Sequence, residues 1–76
     1  MTNYRMLIES NPKVMLGKPK IRGTRITVEA ILRKLADGYN LSEIIEMYPH
    51  LTADAVLASV AYAADIVESE TMIVAA

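Results

Sequence analysis

Cysteine, tryptophan and phenylalanine are absent from this sequence, and His50 is its single histidine. Without cysteine the chain has neither a disulfide framework nor a thiolate nucleophile, and one histidine is too few for an ordinary zinc site. No sequence pattern supplies His50 with a nucleophile or an orienting partner. We therefore predict that the protein is not an enzyme, and that it uses no metal and no cofactor.

Long apolar runs are also absent. The longest, residues 55–64, includes Ser59 and lies between Asp54 and Asp65, whereas a membrane-spanning helix needs about 20 apolar residues. The run at 6–8 is too short for a signal peptide. We predict no membrane association and, because cysteine is lacking, a cytoplasmic location.

Basic residues are missing from the second part of the chain. All eight lysines and arginines precede Leu35, where Glu9 and Glu29 are the accompanying acids, so residues 1–34 carry a net charge of +6. Residues 35–76 contain seven acids and no base, a net charge of −7. These parts either neutralise each other, within one chain or across a dimer, or present charged surfaces to an external partner.

The 76 residues are enough for one domain with a thin, aliphatic core, because hydrophobic residues make up 53% of the chain and its only aromatics are four tyrosines. We predict a mainly α fold, a three-helix bundle with a helix-turn-helix arrangement and a short N-terminal β element, in a dimer. The predicted parts are an extended element at 1–26, the bundle at 27–70 and a tail at 71–76.

Local signals place the elements. Residues 6–8 predict a short strand and Asn11-Pro12 a turn. Thr27 is a predicted N-cap, and Gly38 is expected to end the first helix. The apolar stripe of that helix, at helical spacing, consists of Val28, Ile31, Leu32, Leu35, Ala36 and Tyr39.

Two further helices are predicted with a tight turn between them. Ser42 is the predicted cap of the second helix, which Pro49 ends because proline cannot continue a helical ladder. Thr52 then caps a third helix from Ala53 to about Glu68. A short turn between the last two helices is typical of a helix-turn-helix arrangement.

The third helix is apolar on two opposite sides. One stripe comprises Val56, Leu57, Val60, Ala61, Ala64 and Val67. The other comprises Ala55, Ala58, Tyr62, Ala63 and Ile66. Because so small a chain cannot cover both sides, we predict a homodimer. Its predicted interface residues are Ala55, Ala58, Tyr62 and Ile66.

The stretch LGKPKIRGTRITV, residues 16–28, is rich in glycine and basic residues. It does not match a nucleotide-binding loop, because Pro19 follows Gly17-Lys18 and has no N–H to donate. Two interpretations remain open. In the first, the predicted nucleic-acid-binding residues Lys18, Lys20, Arg22 and Arg25 contact phosphates. In the second, the stretch is structural: Gly23 adopts a turn conformation, Ile21 and Ile26 are buried, and Arg22 or Arg25 pairs with acids of the second part.

These residues also resemble a known bacterial family. The positions that carry the resemblance are Gly17-Lys18-Pro19-x-Ile21-Arg22-Gly23-Thr24-Arg25-Ile26-x-Val28, Gly38, Tyr48-Pro49-x-Leu51-Thr52 and Ala61-Tyr62-Ala63. Over about residues 5–68 the chain resembles the domain of unknown function 433. The resemblance implies a small homeodomain-like protein, and some members are VapB-type antitoxins that bind and inhibit a PIN-like ribonuclease toxin.

The resemblance implies an antitoxin that neutralises a PIN-like nuclease toxin and could also bind operator DNA. Because the second part is acidic, we expect the toxin-binding residues there: Asp65, Glu68, Glu70, Met72 and Ile73. The start of the third helix, with Asp54 and alanines, is poorly suited to reading DNA. The alternative is a stand-alone DNA-binding transcriptional regulator that has no toxin partner.

Overall fold

The computed structural model describes residues 4–69, and it is mainly helical with a two-stranded sheet. Three helices with a short N-terminal β element were predicted, and this arrangement is confirmed. In chain order the elements are a 3₁₀ turn (Tyr4–Met6), β1 (Ile8–Glu9), a second 3₁₀ turn (Met15–Gly17), β2 (Lys20–Ile21), α1 (Val28–Ala36), α2 (Leu41–Met47) and α3 (Ala53–Ser69).

The sheet pairs β1 with β2 in antiparallel register, with Ile8 opposite Ile21 and Glu9 opposite Lys20. The predicted strand at 6–8 therefore lies too early, because the chain up to Met6 forms a 3₁₀ turn instead. Asn11 and Val14 form an isolated bridge around the predicted Asn11-Pro12 turn, which is confirmed. The sheet holds the N-terminal segment against the helices.

α1 begins and ends where its local signals predict. The Thr27 hydroxyl accepts a hydrogen bond from the Ala30 amide at 3.0 Å, which satisfies one free amide of the first turn. Gly38, at φ +98°, reverses the chain after the last turn. Tyr39 does not continue the predicted apolar stripe, since it lies beyond the helix end and its exposed ring faces the Lys34 ammonium at 5.4 Å.

α2 begins two residues earlier than the predicted cap would allow. Asn40, not Ser42, is the N-cap: its side chain accepts from the Glu43 amide at 2.9 Å, and the Glu43 carboxylate accepts from the Asn40 amide at 2.9 Å. Ser42 could not form this reciprocal capping box, because Ile45 lies three residues after it. The helix ends at Met47, before Pro49 as predicted.

α3 is the longest element, and its first half is embedded in the core. Thr52 caps it through a hydrogen bond from the Ala55 amide at 3.1 Å, as predicted. Aliphatic residues from all three helices and the sheet form the core, as the composition indicated. The buried set is Ile21, Ile31, Ile44, Leu51, Ala55 and Val56, with Ile8, Ile26, Leu35 and Tyr48 packed against it.

Candidate functional site

Lys20 is a structural residue, which corrects its prediction as a phosphate contact. Its side chain is only 7% exposed, and Nζ donates to the Glu9 carboxylate at 2.5 Å and to the Thr24 carbonyl at 2.8 Å. A buried ammonium needs such partners, because an unpaired charge in the interior is strongly destabilising. Lys20 therefore ties β1 to the loop after β2 and offers nothing to an external phosphate.

The Glu9 carboxylate interacts with two basic side chains beside the sheet, those of Lys20 and Arg22. The hydrogen bond from Lys20 holds the pKa of Glu9 below its usual range, and the charge of Arg22 acts in the same direction. Arg22 Nη1 lies 3.8 Å from the Glu9 carboxylate, while its Nε donates to the Met6 carbonyl at 3.0 Å. The acid beside Arg22 thus belongs to the first part of the chain, contrary to the predicted pairing with the second part.

The loop at 21–27 has the local structure that the structural interpretation predicts. Gly23 adopts φ +78°, a conformation that favours glycine. The Thr24 hydroxyl donates to the Ile21 carbonyl at 2.8 Å and accepts from the Ile26 amide at 3.0 Å. Ile21 is buried and Ile26 is half-buried, so this loop fixes the start of α1.

Three of the four predicted nucleic-acid-binding residues remain exposed: Lys18, Arg22 and Arg25. Lys18 forms a 2.9 Å ion pair with Glu29, in which both side chains are about half exposed, and the bond lowers the pKa of Glu29. Arg25 is exposed and forms no ion pair with another residue of 4–69. Lys18, Arg25 and Arg22 are the candidate contacts for an anionic partner, although the Arg22 guanidinium already contacts the Met6 carbonyl and Glu9.

The structure divides the two apolar stripes of α3 differently from the prediction. Ala55 and Ala58 are 2% and 0% exposed inside the chain, so they offer no surface to a second subunit. Tyr62 is half-buried against the Tyr4 ring, with the ring centroids 5.7 Å apart. Ile66 keeps 44% of its surface exposed. The predicted dimer interface is therefore corrected at both alanines, because their small side chains let α3 pack closely into the core.

The exposed side of α3 carries four of the six residues of the other apolar stripe, which we term the outer α3 face: Leu57, Val60, Ala64 and Val67. Val56 of that stripe is buried in the core and Ala61 is half-buried. Leu57 is 50% exposed and Val67 is 64% exposed. By helical spacing, Asp54, Asp65 and Glu68 fall along one border of this face. The sequence contained both stripes, but which of them faces the core depends on tertiary packing.

Of the predicted toxin-binding residues, Asp65 and Glu68 lie on exposed surface of α3. The Asp65 carboxylate accepts a 2.7 Å hydrogen bond from the Tyr4 hydroxyl, which raises the pKa of Tyr4. Glu70, Met72 and Ile73 lie outside the described residues. Asp65 is therefore exposed and also holds the N-terminal 3₁₀ turn against α3.

An open groove of about 410 Å³ lies between α1 and the second half of α3. We term it the α1–α3 groove. Its walls are mostly apolar and include Pro19, Leu32, Ala36, Tyr62, Ala63 and Ile66, with Glu29 and Arg33 as its charged members. Leu32 and Ala36 belong to the predicted apolar stripe of α1, and no sequence pattern indicated this groove.

The 15–17 turn, formed by Met15, Leu16 and Gly17, combines unusual backbone with unusual exposure. All three residues have positive φ, at +52°, +57° and +78°. This region is uncommon for residues other than glycine. Leu16 is 94% exposed and Met15 is 41% exposed. Nothing in the sequence distinguished these apolar residues from core residues.

Comparison with known proteins gives the family. The family described as "Protein of unknown function (DUF433)" matches residues 8–63. The chain belongs to the DUF433 family. This confirms the resemblance drawn from the residues between Gly17 and Ala63. Among residues 4–69, none of the helices is both long and apolar enough to cross a bilayer.

Two similar proteins extend this finding. A crystal structure of a DUF433 member from Anabaena variabilis is 32% identical, with a TM-score of 0.77 over 82% of this chain and 61% of that one. "Uncharacterized protein y4eO" of Sinorhizobium fredii is 30% identical over 59 residues, which are 78% of this chain and 27% of that protein. The chain thus spans about a quarter of this curated relative and less than two thirds of the solved protein.

Proposed function

We propose that this DUF433 protein is a non-enzymatic, antitoxin-like protein that binds and neutralises a PIN-like nuclease toxin through the outer α3 face. The observation that carries the proposal is an apolar stripe left exposed on a 17-residue helix whose charged residues are all acids. Exposed apolar surface of this kind marks interaction sites in soluble proteins. In this proposal the helices form a homeodomain-like arrangement in the cytoplasm.

The acidic residues of α3 favour a partner with a basic surface. Leu57 and Val67 supply apolar contact area along the helix, while Asp54, Asp65 and Glu68 line one border. An acidic rim around an apolar centre favours a partner with the opposite pattern and speeds their encounter. A nuclease that binds RNA has a basic surface near its active site, so a bound α3 could block access to it.

The test uses the product of the neighbouring gene, co-expressed with this protein. If that product is a nuclease, replacing Leu57 and Val67 together by Asp should weaken its binding at least about tenfold and restore RNA cleavage. Both positions are half or more exposed, so the fold should persist in circular dichroism.

The matched control is Met6→Asp, which places the same charge at a 69% exposed residue on another element. It should leave nuclease binding unchanged. Retained inhibition by the double variant would remove the outer α3 face from the proposal. A neighbouring gene that encodes no nuclease would contradict the antitoxin role.

The alternative function is a stand-alone DNA-binding regulator, and one observation favours it. Arg25 is exposed without an ion pair among residues 4–69, beside Gly23, whose Cα has open space around it. We expect Arg25→Gln to weaken binding of the protein's own promoter DNA and to reduce the salt dependence of binding by about one counterion. Lys34→Gln on α1 is the control, and equal effects of the two variants would contradict a specific role for Arg25.

A further inference from the structure

We propose that two copies of this chain associate through reciprocal insertion: Leu16 of each copy enters the α1–α3 groove of the other. The inference does not depend on the proposed toxin. It assigns the predicted homodimer to a surface that excludes Ala55 and Ala58 and includes the exposed Ile66. It also leaves the outer α3 face open for another partner.

The first step is the conformation of the 15–17 turn. Left-handed backbone at two consecutive non-glycine residues is energetically costly, and it is retained mainly where a site requires it. In this turn the left-handed backbone directs the Leu16 side chain outward, where it is 94% exposed, and Met15 lies beside it. A leucine in a relaxed turn would lower its free energy by folding back onto the apolar surface nearby.

The second step is an apolar receptor of suitable size on the same chain. At about 410 Å³, the α1–α3 groove lies within the range of clefts that hold small molecules, so it can accept more than one aliphatic side chain. Ile66, which is 44% exposed, and Leu32 line it. Insertion of Leu16 would remove apolar surface of both the turn and the groove from water.

The third step is proximity, which a two-fold symmetric interface requires. Pro19, three residues after Leu16, lines the groove, and the Lys18–Glu29 ion pair joins the end of the turn to a residue of the groove wall. Leu16 does not fill its own groove, since it is exposed. Because the projecting side chain and the receptor are neighbours, one two-fold rotation can place each against its counterpart.

The apolar character of both surfaces and the area required agree with a second copy as the occupant. Met15 and Leu16 are the apolar residues of the turn, and the groove has mostly apolar walls. The charged residues of the groove are Glu29, which pairs with Lys18 of its own chain, and Arg33. A small stable interface needs about 600 Å² per subunit, roughly a tenth of this chain's 5635 Å² surface.

The test measures the oligomeric state of the full chain by sedimentation equilibrium. The wild type should be a dimer, and Leu16→Lys and Ile66→Glu should each raise the dimer dissociation constant at least about a hundredfold. An equimolar mixture of L16K and I66E should recover dimers, because one contact stays Leu16 in an intact groove and the other becomes a lysine–glutamate pair.

The matched control is Val67→Lys, which places a charge at an exposed residue next to Ile66 but outside the groove. It should leave the dimer intact. A monomeric wild type, a dimeric L16K or I66E, a monomeric V67K, or a mixture that fails to recover dimers would each overturn the inference. Unchanged circular dichroism of the single variants separates loss of association from loss of fold.

Discussion

At the scale of single residues, the pair of Lys20 and Glu9 differs from the other basic contacts of the chain. Lys20 is buried and fully occupied by Glu9 and the Thr24 carbonyl, whereas the Lys18–Glu29 pair is about half exposed. Exposed pairs contribute little to stability because water and salt screen them. The pair of buried Lys20 and half-buried Glu9 should therefore contribute more than the Lys18–Glu29 pair to the pH dependence of folding.

We predict that Glu9→Gln lowers the melting temperature at neutral pH. The pKa of folded Glu9 lies below its ordinary value of 4.5. The ionised carboxylate therefore stabilises the fold above that value, and the stabilisation is lost as pH falls through the lowered pKa. The gap between the two proteins should narrow in acid when thermal unfolding is followed by circular dichroism.

Glu29→Gln is the control for this prediction, since the pKa of Glu29 is also lowered but its ion pair is exposed. It should change the melting temperature much less. A gap between wild type and E9Q that stays constant with pH would contradict the role assigned to the Glu9 charge.

The burial of Lys20 also marks the limit of prediction at the residue scale. Its position among three other basic residues indicated a phosphate-binding surface. Strand register decides otherwise, because Glu9 lies opposite Lys20 in the sheet and its carboxylate accepts a hydrogen bond from the Lys20 ammonium. Gly23, in contrast, was predictable as a turn residue because its conformational freedom is a local property.

At the scale of elements, helix boundaries followed the local signals except at α2. Thr27, Thr52 and Pro49 act through chemistry within one turn of the chain, so the sequence alone was sufficient to place them. The start of α2 required a choice between two cap residues. Asn40 prevails because Glu43 completes the reciprocal pair of hydrogen bonds.

This difference gives a direct test of the α2 cap. Asn40→Ala should destabilise the protein by about 1 kcal/mol, the usual cost of losing an N-cap. Ser42→Ala should be neutral or slightly stabilising, because Ser42 lies inside the helix, where alanine is preferred. Chemical denaturation measures both, and a larger loss for S42A than for N40A would contradict the assigned helix start.

The orientation of α3 could not be derived in the same way. Both of its sides are apolar, so periodicity identifies the helix but not the side that faces the core. The side that faces the core contains Ala55, Ala58 and Ser59. These residues are small, which permits close approach of the other helices. The Ser59 hydroxyl donates to the Ala55 carbonyl at 3.0 Å and is thereby satisfied in the core.

At the scale of the whole molecule, the charge asymmetry of the sequence persists in the folded chain. Lys18, Lys20 and Arg22 pair with Glu9 and Glu29, the two acids of the first part. In the second part, Glu43 caps α2 and Asp65 accepts from Tyr4. These acids thus have structural roles, and exposed carboxylates such as Glu68 remain available to a basic partner.

The contact between Tyr4 and Asp65 joins residues that are 61 positions apart in the chain. The entropic cost of closing a loop grows with its length, so contacts of this separation reward the chain only after most other structure has formed. α1 and α2, which are neighbours in sequence, can pair much earlier. In kinetic terms, we expect Tyr4 to join the folded structure late, so that its two contacts to α3 slow unfolding more than they accelerate folding.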